Sequence, residues 1–122
     1  MRIIDANVVL RYVLDDHFEL SAKARAIIDE NIVCIPIEVL SEVIYVLHGI
    51  YKTERDDIYT ALHDFFEKTV CILPHRNAIL HALKLYGESK LDFVDCVLAG
   101  YSQVEGAIID TFDKKLQRLL SQ

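Results

Sequence analysis

Four short runs of apolar, largely β-branched residues punctuate this chain, at residues 2–5, 32–35, 70–73 and 107–110. Longer segments with helical periodicity separate them: residues 7–14, 21–31, a long helix from Pro36 to Gly49, then 54–68 and 75–86, and after them 92–104 and 114–120. Strands that are apolar throughout, without polar alternation, are buried on both faces. Parallel strands also need a crossover between them, usually a helix. The alternation therefore predicts an α/β fold, a three-layer α/β/α sandwich around a central parallel sheet, as one domain over residues 1–122. Pro36 suits the first turn of its helix, where its missing N–H is not needed. Gly87 and Gly106 are expected to close the helices before them. In such folds ligands bind beyond the carboxyl ends of the strands. Asp5 follows the first run and Asp113 follows the fourth, so both are expected at that edge.

Composition narrows the setting. The chain has 122 residues and is 52% hydrophobic, enough for a core and too much for disorder. No apolar run approaches the ~20 residues of a membrane helix, and no basic region followed by a long apolar stretch opens the chain. A cytoplasmic protein without a membrane partner is expected. Cys34, Cys71 and Cys96 form no CxxC pair and read as reduced, buried thiols. The five histidines lack metal-ligand spacing and read as surface or structural residues. Net charge is −6, which taken alone argues against a nucleic-acid partner. Asp5, Glu42, Asp92, Asp95 and Asp113 account for five of those charges, so acidity gathered in one pocket would leave the remainder near neutral.

Those acids sit in four short signatures: Ile4-Asp5-Ala6-Asn7, Leu40-Ser41-Glu42-Val43, Asp92-Phe93-Val94-Asp95 and Thr111-Phe112-Asp113. Like charges repel in a partly dry site, so a cluster of carboxylates needs a compensating reason. A hard divalent cation such as Mg²⁺ or Mn²⁺ supplies one, since it takes oxygen ligands and promotes attack of water on phosphodiesters.

Each acid also has a plainer role. Asp5 is placed to cap the helix that follows it. Glu42 falls just outside the apolar arc formed by Ile37, Val39, Leu40, Val43, Ile44, Val46 and Leu47, where its stem can cover the core or its carboxylate can reach a cleft. Asp92 with Asp95 three residues on resembles a capping box, although that motif prefers Ser or Thr with Glu or Gln. Asp95 lies one turn deeper, better placed to enter a site than to cap. Asp113 can cap the last helix, and Asp110 competes with it as the acid at the strand end. Arg11, Lys114, Lys115 and Arg118 are candidate contacts for RNA phosphates, or members of solvated helix faces.

Taken together, the segments 4–11, 39–47, 91–99 and 111–116 resemble the PIN-domain family, and more narrowly the VapC-type ribonuclease toxins of prokaryotic toxin–antitoxin pairs. The resemblance covers essentially the whole chain. By position it implies an acidic quartet of Asp5, Glu42, Asp95 and Asp113, with Asp92 as an auxiliary metal-binding acid and Asn7 and Thr111 as supporting polar groups. It selects Asp113 over Asp110. Ala6 stands where a hydroxyl residue is common. The resemblance further implies Mg²⁺- or Mn²⁺-dependent cleavage of RNA, a homodimer, and a cognate antitoxin that covers the acidic pocket.

A phospho-receiver domain shares this length and layer order. It needs paired acids after the first strand and an acceptor aspartate after a central one, where this chain has Leu73-Pro74. The four glycines form no phosphate-cradling loop. A catalytically silent PIN-like binding module remains the alternative to an enzyme.

Overall fold

Three of the four apolar runs contribute strands: β1 (Arg2–Ile3), β2 (Val33–Cys34) and β3 (Cys71–Ile72). They pair in parallel in the order β1-β2-β3, with Arg2 opposite Val33 and Val33 opposite Cys71. Ladder-like bonds extend the strands slightly: the Ile4 N–H donates to Cys34 O at 3.3 Å and the Ile35 N–H to Ile72 O at 2.9 Å. The middle strand explains the unbroken apolar run, since Val33, Cys34 and Ile35 are all buried. On the flanking strands Ile3 and Ile72 are exposed.

The computed structural model describes residues 1–122 and divides into two compact units, residues 1–74 and 75–122. The first unit holds the whole sheet and four helices: α1 (Ala6–Leu14), α2 (Phe18–Asp29), α3 (Ile37–Gly49) and α4 (Arg55–Lys68). α1 packs against α2, α3 and α4. Its Tyr12 meets the edge of Phe65 at 5.3 Å between ring centroids, and Phe65 meets Phe66 at 5.2 Å. α2 starts three residues earlier than its periodicity predicts, because His17 caps it. The His17 ring nitrogen Nδ1 accepts from the Leu20 N–H at 3.1 Å, while the His17 N–H donates to the buried Ser21 Oγ at 3.3 Å. This reciprocal pair satisfies the same amide donors as a capping box. Pro36 occupies the cap position just ahead of α3, and its carbonyl accepts from Leu40 N–H at 3.1 Å. No disulfide forms. Cys34 and Cys96 are buried, but Cys71 is only half-buried, contrary to expectation.

The second unit consists of α5 (Arg76–Glu88), α6 (Phe93–Glu105) and α7 (Lys114–Leu120). α5 does not stop before Gly87. It runs through that residue, and Ser89 takes the cap position. Gly106 does close α6: it adopts φ 74°, its N–H donates to Ser102 O, and the Ala107 N–H reaches back to Tyr101 O. This left-handed closure is the glycine C-cap motif.

The expected fourth strand at residues 107–110 is absent. The segment carries the β-branched pair Ile108-Ile109 but joins no ladder, and Ile108 is 89% exposed. β propensity largely reflects fit to a half-buried pleated surface, so without a neighbouring strand it specifies nothing. Asp113 therefore follows an irregular segment, not a strand end.

α5 and α6 lie close because Gly100 faces Ala78 and Ala82. A Cβ at position 100 would collide with the Ala78 carbonyl oxygen, a backbone atom that cannot swing aside. On its other side α6 meets α7 through Ala99, Leu116 and Leu119, with Leu91 and Leu98 against them. Gly100→Ala should destabilise the fold by about 1–3 kcal/mol, the usual cost of overpacking a filled core. It should do so although alanine is the better helix former by about 1 kcal/mol. Urea unfolding of the variant beside wild type measures the difference.

Candidate functional site

The acids fall into two groups by unit. In the first unit, Asp5 connects β1 to α1 in extended backbone conformation, and its Oδ1 accepts from the Val8 N–H at 3.2 Å. It is exposed and lines a hollow of about 330 Å³ together with Arg2, Ile4 and Val8. Asn7, one residue into α1, is exposed at a neighbouring cavity of about 350 Å³ shared with Arg11, Lys23 and Ile27. Arg11 is paired with Asp16 at 2.9 Å, so its charge is already partly matched. Glu42 projects from α3 into solvent, on the side away from buried Leu40, Val43, Ile44 and Leu47. No ion pair restrains its carboxylate.

In the second unit, three acids are drawn together. Asp95 lies in the first turn of α6 and is half-buried. Burial, then the charge of Asp113, then that of Asp92, push its carboxyl above the usual aspartate range. Asp110 is not among the charges that act on it, which separates the two acids that the sequence left in competition. Asp92 stands at the cap position of α6, yet its side chain makes no capping hydrogen bond, so the capping-box reading fails there. Its carboxylate is left exposed beside Asp95.

Asp113 does cap. Its Oδ1 accepts from the Leu116 N–H at 2.9 Å, and its own N–H donates to Thr111 Oγ1 at 3.1 Å. The Thr111 carbonyl in turn accepts from the Gln117 side-chain amide at 2.7 Å. Gln117 thus reaches back across the first turn of α7 to fix the residue that fixes Asp113. The sequence pointed to Thr111 but not to Gln117, whose role depends on the conformation of the preceding irregular segment. Lys114, Lys115 and Arg118 are exposed on α7, and none is in an ion pair.

Asp92, Asp95 and Asp113 suit a divalent cation in donor chemistry. All are hard oxygen ligands, and the mutual repulsion registered at Asp95 is what a cation would relieve. Asp95 feels the charges of Asp113 and Asp92, but the three carboxylates do not stand close enough together to form a ready three-ligand metal site.

Comparison with known proteins agrees with the resemblance drawn from the four acidic segments. The family model described as PIN domain matches residues 2–120. A VapC ribonuclease of Aquifex aeolicus (strain VF5) is 28% identical over 107 residues, covering 80% of this chain and 75% of that protein. No solved structure matches the chain significantly.

The raised carboxyl of Asp95 gives stability a definite pH dependence. The folded state holds this proton to higher pH than the unfolded chain does. Between the two pKa values the native state therefore binds more protons, and stability falls as pH rises through the folded value. Asp95→Asn removes the repulsion. In EDTA at pH 7 the variant should melt above wild type, and the gap should close as pH drops below about 4, the unfolded aspartate value. Asp5→Asn should show no such gap, because asparagine caps as well as aspartate. Thermal melts of the three proteins across pH check both expectations.

Proposed function

Because this chain belongs to the PIN-domain family, we propose that it is a divalent-metal-dependent endoribonuclease, the toxin of a toxin–antitoxin pair. The observation that carries this reading is the half-buried Asp95 carboxyl with Asp113 and Asp92 beside it, raised first by its burial and then by those two charges. Perturbed carboxylates of this kind concentrate at sites of proton transfer and metal binding. The name of the Aquifex relative supports RNA as the substrate.

In this reading Asp5, Glu42, Asp95 and Asp113 hold Mg²⁺ or Mn²⁺, with Asp92 adding negative field beside them. The bound cation would lower the pKa of the attacking water and offset charge that develops on the phosphate. One carboxylate of the set helps to take the proton from water as the oxygen attacks phosphorus. The P–O3′ bond breaks, the 3′ oxygen leaves, and solvent protonates it. Thr111 and Gln117 keep Asp113 in one orientation, and Asn7 offers an amide beside Asp5. The protein acts in the cytoplasm as a homodimer, and its antitoxin covers the acids.

The caps make a clean test possible. Asp5→Asn and Asp113→Asn keep their hydrogen bonds to helix amides, so their folds should survive while a charged ligand is lost. Together with Glu42→Gln and Asp95→Asn, each should lower Mn²⁺-dependent cleavage of a single-stranded RNA by about a hundredfold or more, the scale of removing one group that acts in the transition state. Asp92→Asn should be milder. A larger loss from Asp92→Asn than from Asp95→Asn would reverse the assignment of the α6 acids. Wild type that binds Mn²⁺ by calorimetry and cleaves nothing would instead mark a silent binding module.

A further inference from the structure

Charge is divided unevenly between the two units. Of the 13 basic and 19 acidic residues, six of each lie in residues 75–122, so that unit is neutral and residues 1–74 carry the entire −6. Within the neutral unit the charges are sorted again. Three of its six acids are Asp92, Asp95 and Asp113. Three of its six cations, Lys90, Lys115 and Arg118, line one groove of about 370 Å³ together with Ser89 and Gln122.

We propose that this groove holds the phosphodiester backbone of single-stranded RNA and presents it to the acids of α6 and α7. The proposal deepens the nuclease reading and rests on it for the identity of the ligand. None of the three cations is in an ion pair, so no protein carboxylate competes for them. Lys115 and Arg118 stand three residues apart on α7 and share a face. Lys90 comes from the turn between α5 and α6, which Ser89 shapes by accepting from the Leu91 N–H at 3.3 Å. Leu91 and Leu119 join one apolar cluster, which anchors that turn to α7 and sets the groove's two walls. The acids are immediate chain neighbours. Lys90 precedes Asp92 by two residues, and Lys115 follows Asp113 by two. Lys114, adjacent in sequence, does not line the groove.

The test measures binding of a fluorescent 12-nucleotide RNA in EDTA, where cleavage is absent, across a salt series. Each phosphate contact on a single strand contributes about 0.7 to the slope of log K against log salt. The Lys90→Gln/Lys115→Gln/Arg118→Gln variant should lose about 2 from that slope and bind at least about tenfold more weakly at low salt. With Mn²⁺ its KM should rise while kcat at saturating RNA stays near wild type. Lys90→Arg/Lys115→Arg/Arg118→Lys should keep the slope, and Lys114→Gln should change it less than Lys115→Gln. An unchanged slope in the triple Gln variant would overturn the proposal. So would equal effects of Lys114→Gln and Lys115→Gln, which would mean diffuse charge in place of a groove. Loss of polyglutamate peptide binding with RNA binding intact would assign the groove to an acidic protein partner and overturn it too. Because binding is read without metal, a wild type that binds RNA here yet never cleaves it would refute the nuclease reading alone.

Discussion

Helix starts leave backbone N–H groups without intrahelical partners, and in this protein two proposed metal ligands answer that need. Asp5 satisfies an amide of α1 and Asp113 an amide of α7. The caps are therefore not competitors of the functional reading. A carboxylate has two oxygens, each with two acceptor sites, and one hydrogen bond to an amide leaves most of that capacity open while restricting the side chain's rotation. The positive end of the helix also lowers the cost of gathering negative charge. Asp95 lies in the first turn of α6 and shares this benefit, yet burial and its two neighbours outweigh it, since its carboxyl is still raised.

Much of this arrangement was legible in the residues. Continuous apolar runs became β1, β2 and β3, and the helical segments between them formed close to their expected bounds, because period and local caps are short-range signals. The run at residues 107–110 has the same local signal and no strand, since strand formation depends on a partner that the run itself does not encode. Gly87 shows the same limit: glycine permits a left-handed turn but does not demand one, and α5 passes through it. His17 was hidden for a different reason. Imidazole seldom caps, and here it does so because Ser21 is buried one turn later and takes the reciprocal bond.

The acids were visible as a pattern, but their division of labour was not. Asp92 and Asp113 both looked like caps, and only Asp113 makes the bond. Gln117 and Lys90 carried no sequence signal, since one acts through a carbonyl made accessible by an irregular segment and the other through a wall contributed by a separate helix. The sorting of charge between units, by contrast, is fully written in the sequence, but it acquires meaning only once the division after Pro74 is known.

The stretch from Gly106 to Phe112 has one more consequence. It connects the acid of α6 to the acid of α7 through mostly exposed backbone that belongs to no strand or helix, and Phe112 at its end is fully exposed. Exposed irregular backbone is where proteases nick folded chains most readily. A single cut beside Phe112 would leave α7 held by non-covalent contacts, the packing of Leu116 and Leu119 against Ala99 and its neighbours and the hydrogen bond from the Gln103 side-chain amide to Leu119 O at 3.1 Å. Such a molecule would keep its secondary structure while Asp113, Lys115 and Arg118 were no longer covalently tied to Asp95. The covalent link between the acids of α6 and α7 thus runs through the segment of the second unit that is most open to cleavage without prior unfolding.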